Sequence, residues 1–172
     1  MESVLVSPAA ASSNAKKKDG GNGGRRHPNC GIGKKNTSGL PQHLAVKSSN
    51  GELPLIVIDA PNVAMRHGIN SKFSCRGIKL AIDFFHAAGH RVVSFLPDHY
   101  LNFERVGELR RLAALKISDV RAAQLPDDVS TLQQLFQQGF IIGTPSQDYD
   151  DSYCINYARQ RGGYIISNDM YR

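Results

Sequence analysis

An α/β sandwich of three layers around a central parallel sheet is predicted by the pattern of residues beyond Leu53. Short apolar runs without polar alternation recur there, separated by longer segments in which apolar residues repeat every three or four positions. Continuous β-branched runs need cover on both faces, and strands that alternate with helices build parallel sheets. The segment that precedes them has the opposite character. Residues 1–52 hold none of the Phe or Tyr residues, half of the 16 glycines, and 8 basic against 3 acidic residues, so they carry most of the formal net charge of +6. Such a stretch cannot bury enough apolar surface to offset its ordering entropy. The reading is a disordered basic tail, 1–52, and one domain, 53–172.

The elements follow in order. Leu55-Ile56-Val57-Ile58 is the first strand, stopped by a turn at Asp59-Ala60-Pro61-Asn62. Ile78, Ala81, Ile82, Phe85 and Ala88 recur at helical spacing after Ser74, a plausible N-cap, and before Gly89, a plausible stop. Arg91 to Leu96 is the second strand and ends at Pro97. Phe103 to Lys116 reads as an amphipathic helix that contains Gly107 and exposes a Glu108–Arg111 pair. Asp127 to Gln138 is a further helix, with two acidic residues at its positive end and Gly139 after it. Phe140-Ile141-Ile142 is the third strand, about Asp150 to Arg161 the last helix, closed by Gly162-Gly163, and Tyr164 to Ser167 the fourth strand.

Several classes are excluded. No run approaches the roughly 20 apolar residues of a membrane span, and the N-terminus has no basic region ahead of its short apolar stretch, so neither a membrane protein nor a secretory signal is expected. Three cysteines without a C-x-x-C pair suit neither a disulfide framework nor a zinc knuckle, and point to a reducing compartment. Lys16-Lys17-Lys18 and Arg25-Arg26 could serve as a nuclear localisation patch or a polyanion-binding arm, as readily as a solvated tail.

Sites in open α/β sheets lie outside the carboxyl ends of the strands. Asp59 and Asn62 follow the first strand, Asp148, Asp150 and Asp151 the third, and Asn168 and Asp169 the fourth. Like charges brought together this way repel unless a cation neutralises them, and hard oxygen donors select Mg²⁺ or Mn²⁺ over zinc. Asp59 alone could start a turn, and Asp150 alone could cap a helix. Asp151 carries more information, because it shares a stripe with Cys154, Ile155 and Ala158 and is expected to face the sheet, where an unpaired carboxylate is costly. The six histidines show no metal-ligand spacing, His67 being nearest in sequence to the Asp59 turn; Cys75 and Cys154 read as small core residues. A receiver-type acidic pocket would need a late Lys, and none occurs after Lys116.

Ile56-Val57-Ile58-Asp59-Ala60-Pro61-Asn62-Val63-Ala64-Met65 resembles a segment of the Regnase-type endoribonucleases, the NYN branch of the PIN-like nucleases, often found beside a CCCH zinc finger. Phe73-Ser74-Cys75-Arg76-Gly77-Ile78, Gly89-His90 with Phe95-Leu96-Pro97, Tyr149-Asp150-Asp151 and Ile166-Ser167-Asn168-Asp169-Met170-Tyr171-Arg172 follow in the family's order. The resemblance covers 54–172 apart from a stretch near 99–125 that is longer here. It implies the PIN-like fold and cleavage of single-stranded or stem-loop RNA, in mRNA decay or RNA processing, in the cytoplasm with the nucleus as a further location. Mg²⁺, or Mn²⁺ in its place, would be held by Asp59, Asp150, Asp151 and Asp169, with Asn62 orienting a carboxylate or a water. Arg66, Lys72, Arg76, Lys79 and Arg172 are the expected phosphate contacts. RNA is the expected partner, no membrane is, and a homodimer is allowed.

The chain departs from the family pattern at three places. Ala60-Pro61 replaces Gly-Ser, which is expected to remove a backbone donor and stiffen the turn. A basic loop before Tyr149 is shortened. The family's last motif ends in another Asp, directly after the position of Arg172, and its domain continues further, so an incomplete gene model or a truncated copy is expected. A catalytically weak RNA-binding or scaffold protein is the competing reading.

Overall fold

The computed structural model describes residues 6–8, 51–117, 119–145 and 150–169, with positions 6–8, 150 and 151 described as backbone. Four parallel strands, β2 (Ile56–Asp59), β3 (Val92–Pro97), β4 (Ile141–Thr144) and β5 (Tyr164–Ile166), lie in the order β5-β2-β3-β4. The predicted α/β architecture with a central parallel sheet is what forms. All four residues of β2 are buried, because the strand is apolar on both sides. Ile56 and Ile58 pack on one face against Ile78, Ile82, Leu132 and Leu135. Leu55 and Val57 pack on the other against Phe95, Cys154, Ala158 and Ile165. Each such side chain contributes roughly 1.5 to 3 kcal/mol through the apolar surface it removes from water.

Helices α1 (Ala60–His67), α2 (Cys75–Ala87) and α4 (Val129–Gln137) supply the first of these faces, and α5 (Asp150–Arg161) supplies the second. Since α2, α4 and α5 each connect one parallel strand to the next, each starts at the carboxyl end of the sheet and runs back to the amino end. Helix α3 (Phe103–Ala114) and a 3₁₀ turn, Asp98–Leu101, belong to the connection from β3 to α4. Val106 is the one buried residue of α3, as its weak apolar stripe dictates.

Several expectations need correction. The turn expected at Asp59-Ala60-Pro61-Asn62 is the start of α1, a short helix with a proline in its first turn. Proline is accommodated in a first helical turn, where backbone N–H groups lack intrahelical partners anyway. Ala60-Pro61 therefore removes no donor that the helix needs. Ser74 does precede α2, yet its hydroxyl pairs with His67 Nδ1 at 2.9 Å instead of capping the helix. Glu108 pairs with Arg105 at 2.7 Å and not with Arg111. Within the tail expected to lack structure, Val6–Pro8 form a strand, β1, antiparallel to β5. An edge strand needs only backbone partners, which a tail without aromatics can still offer. The rest of that tail lies outside the described residues, apart from Gly51 and Glu52.

Three close approaches require glycine, the tightest at Gly68, where a Cβ would stand 1.9 Å from the Lys72 carbonyl oxygen. A Cβ on Gly77 would stand 2.4 Å from His67 Cβ, so α1 and α2 touch only because nothing projects there. A Cβ on Gly163 would stand 2.9 Å from the Leu55 carbonyl oxygen, at the turn that delivers β5 to β2.

Helix α4 is capped by Asp128, whose Oδ1 accepts from the backbone N–H groups of Ser130 and Thr131 at 3.0 and 3.2 Å. The Ser130 and Thr131 hydroxyls donate to the same carboxylate, and these bonds lower its pKa from 3.8 to about 2. The folded value lies below the unfolded one, so this contribution is complete above pH 3.8 and is lost as the pH falls toward about 2. Asp128→Ala is expected to destabilise the fold by about 1 kcal/mol at neutral pH. In melts over a pH series the gap between variant and parent should stay constant down to the unfolded carboxylate range and then narrow; a gap that persists undiminished to the acid limit would refute the assignment.

Candidate active site

Strand β2 ends at Asp59, and the register Ile58↔Ile166 places the next residue of each strand, Asp59 and Ser167, side by side. Both are nearly enclosed, at 6% and 2% exposure. Ser167 Oγ donates to Asp59 Oδ2 at 2.8 Å and accepts from the Asp169 backbone N–H at 3.0 Å. Asp59 Oδ1 accepts from the Asn62 backbone N–H at 3.3 Å, closing the first turn of α1. One carboxylate thus caps a helix and joins two strand ends. An unpaired carboxylate at this depth would be costly, whereas here both oxygens are hydrogen-bonded.

The Asn62 side chain reaches the end of β5. Its Oδ1 accepts from the backbone N–H of Asn168 at 2.8 Å and from Asn168 Nδ2 at 3.2 Å, so it shapes the exit from β5 just before Asp169. Asp169 follows that exit and is exposed. Asp150 and Asp151 open α5, whose first turn the topology sets at the same carboxyl end of the sheet. Further along that helix Cys154 and Ala158 are buried against Val57, Phe95 and Ile165, as the predicted stripe requires. The side chains of Asp150 and Asp151, and Asp148 altogether, lie outside the described residues.

Among the described residues, no three His, Cys, Asp or Glu side chains gather closely enough to hold a metal ion. The carboxylates described at the strand ends, Asp59 and Asp169, are hard oxygen donors that suit Mg²⁺. Asp98, which the sequence reading passed over, stands directly after β3. It opens the 3₁₀ turn Asp98–Leu101 and sits beside Gly143 of β4, at the carboxyl end of the sheet.

The basic residues divide. Arg66 in the last turn of α1, Lys72 before α2 and Arg76 in its first turn are exposed. Lys79 is tied to Asp83 at 2.6 Å, and Arg172 lies outside the described residues. His67 is occupied with Ser74. His90 is buried at the amino end of the sheet, where Nδ1 donates to the Pro54 carbonyl at 2.8 Å, far from the carboxylates in the topology. A cysteine at a helix N-terminus is often acidified. Cys75 is instead buried, its thiol pushed up to about 12 chiefly by desolvation, and so it is no nucleophile at neutral pH.

Ser167 was legible in the sequence only as a strand residue; its signal is its place directly after the apolar run of β5, opposite the Asp that ends β2. The Zc3h12a-like ribonuclease NYN domain family matches residues 52–172. That span contains β2 to β5 and every carboxylate named above, which identifies the chain as a member of the Zc3h12a-like ribonuclease NYN domain family.

Proposed function

We propose that this ribonuclease domain is a Mg²⁺-dependent endoribonuclease, with Mn²⁺ as an alternative ion, that hydrolyses phosphodiester bonds of single-stranded or stem-loop RNA in mRNA decay or RNA processing. The observation that carries the reading is the Asp59–Ser167–Asp169 connection at the carboxyl end of the sheet, with the start of α5 at the same end. Asp59, Asp150, Asp151 and Asp169 would hold the ion. When bound, it supplies a Lewis acid for the phosphoryl oxygens and offsets charge that develops on the leaving oxygen.

The chain's own residues supply position. Ser167 fixes one oxygen of Asp59 and the backbone of Asp169, so the ends of β2 and β5 keep one spacing. Asn62 fixes Asn168 between them. Such supporting bonds hold ligands in place before the substrate arrives. Arg66, Lys72 and Arg76 would contact backbone phosphates, which brings affinity without reading bases. RNA is the proposed partner, and the cytoplasm, with the nucleus in addition, the proposed location.

Two measurements test this reading. Labelled RNA incubated with the protein is expected to be cut in Mg²⁺ or Mn²⁺ and left intact in excess EDTA; undiminished cutting in chelator overturns the metal assignment. Ser167→Ala is expected to lower cleavage about 10- to 100-fold, the usual effect of removing a supporting group from a metal site. Ser167→Thr, which keeps the hydroxyl, should recover most of it. Cleavage by the Ala variant at the parental rate, measured alongside its melting curve, would remove Ser167 from the site.

A further inference from the structure

The connection from β3 to α4 ends in Leu125-Pro126-Asp127-Asp128, and this segment is fastened to the approach to α2. Phe73 and Pro126 form a parallel bridge. The Asp127 backbone N–H donates to the Phe73 carbonyl at 3.1 Å, and Asp127 Oδ1 accepts from the Cys75 backbone N–H at 2.8 Å. The Asp128 backbone N–H donates to Cys75 Sγ at 3.4 Å. From the far side, Arg110 of α3 donates to the Pro126 carbonyl. Phe73 is buried and meets Tyr100 with ring centroids 5.2 Å apart. The backbones of Phe73 and Cys75 are therefore both held by one aspartate, through its own backbone and its side chain, 52 positions away from Cys75 in the chain.

Flanking the held residues are Lys72 and Arg76, both exposed and at the carboxyl end of the sheet, where α2 begins. Neither has an ion-pair partner among the described residues. A helix N-terminus can bind phosphate through its unsatisfied N–H groups. Here the first of those groups, on Cys75, is taken by Asp127, and Gly77 N–H donates to the Ser74 carbonyl. With two of those groups committed, the flanking cationic side chains are the charged groups offered to an anion at this end of α2, and their geometry depends on how firmly the backbone between them is held.

We propose that Asp127 is a positioning residue for RNA binding, clamping Phe73–Cys75 so that Lys72 and Arg76 form a preset pair of phosphate contacts beside the carboxylates. The inference rests on the reading of the site as RNA-binding. It gives the long β3-to-α4 connection a purpose: α3, through Arg110 and Pro126, braces the clamp that sets the grip. Holding long cationic side chains on a fixed backbone lowers the ordering cost of each contact they make.

The test uses the full chain in EDTA, so that the probe survives, and a fluorescent single-stranded oligoribonucleotide. Asp127→Ala is expected to weaken binding about tenfold, equivalent to one lost hydrogen bond at the grip. Asp127→Asn keeps an oxygen that accepts from Cys75 N–H and should bind within about twofold of the parent. In a Lys72→Ala/Arg76→Ala background, Asp127→Ala should cost no further affinity, although its effect on the melting temperature persists. A purely structural role would move the melt and leave no such coupling. Parental affinity in Asp127→Ala, an Asn variant as weak as the Ala one, or an undiminished loss in the double background each overturns the proposal. If Asp127→Ala does not fold, the Asn variant and the paired Lys72 and Arg76 substitutions decide it. Absence of RNA binding by the parent chain would instead overturn the functional reading on which the proposal stands.

Discussion

A carboxylate that closes a fully buried strand is the constraint around which this domain is arranged. Strand β2 is apolar on both faces and buried throughout, so its last residue, Asp59, is drawn out of water with it. Burial of a charge demands partners, and they come from the two elements that meet at that point: the first turn of α1 and the end of β5. The bond to Ser167 therefore does two structural tasks together. It satisfies Asp59, and because the same hydroxyl accepts from Asp169 N–H, it sets where the second carboxylate-bearing segment leaves the sheet.

The remaining architecture delivers residues to the same end. Each crossover helix in a parallel sheet must start where the preceding strand stops, so α2, α4 and α5 all begin at the carboxyl end. For α5 this brings Asp150 and Asp151 to the level of the strand ends. For α2 and α4 it brings two helix starts together, and one adjacent pair of aspartates serves both. Asp128 caps its own helix, while Asp127 reaches across to the N-terminus of the other. Two helix dipoles and two carboxylates are thereby matched at the rim.

Burial also decides what the site does not use. Cys75 sits where a helix could acidify a thiol, yet desolvation dominates; the Asp128 backbone N–H opposes it, while the charges of Asp127 and Asp128 add to it. His90 is enclosed at the opposite end of the sheet against Pro54 and Phe85. With those groups committed to packing, the described chemistry at the carboxyl end is that of oxygen donors and exposed cations, in keeping with a ribonuclease domain.

The unbroken apolar run Leu55, Ile56, Val57 and Ile58 determined a strand covered on both faces, and with it the layered α/β architecture; the helical spacing from Ile78 to Phe85 and from Cys154 to Ala158 determined the covering elements. These are local patterns of polarity, and burial follows them directly. Position at strand ends likewise determined which acidic residues were candidates. What only the tertiary structure decided were the partners: Ser167 for Asp59, Asn168 for Asn62, Asp127 for Cys75, Arg105 for Glu108, and β1 for the edge of β5. Apart from Arg105 and Glu108, these pairs lie far apart in the chain, so periodicity carries no trace of them. Even that nearby pair was settled by side-chain reach between two equally spaced arginines, a choice that belongs to three dimensions and not to the order of residues.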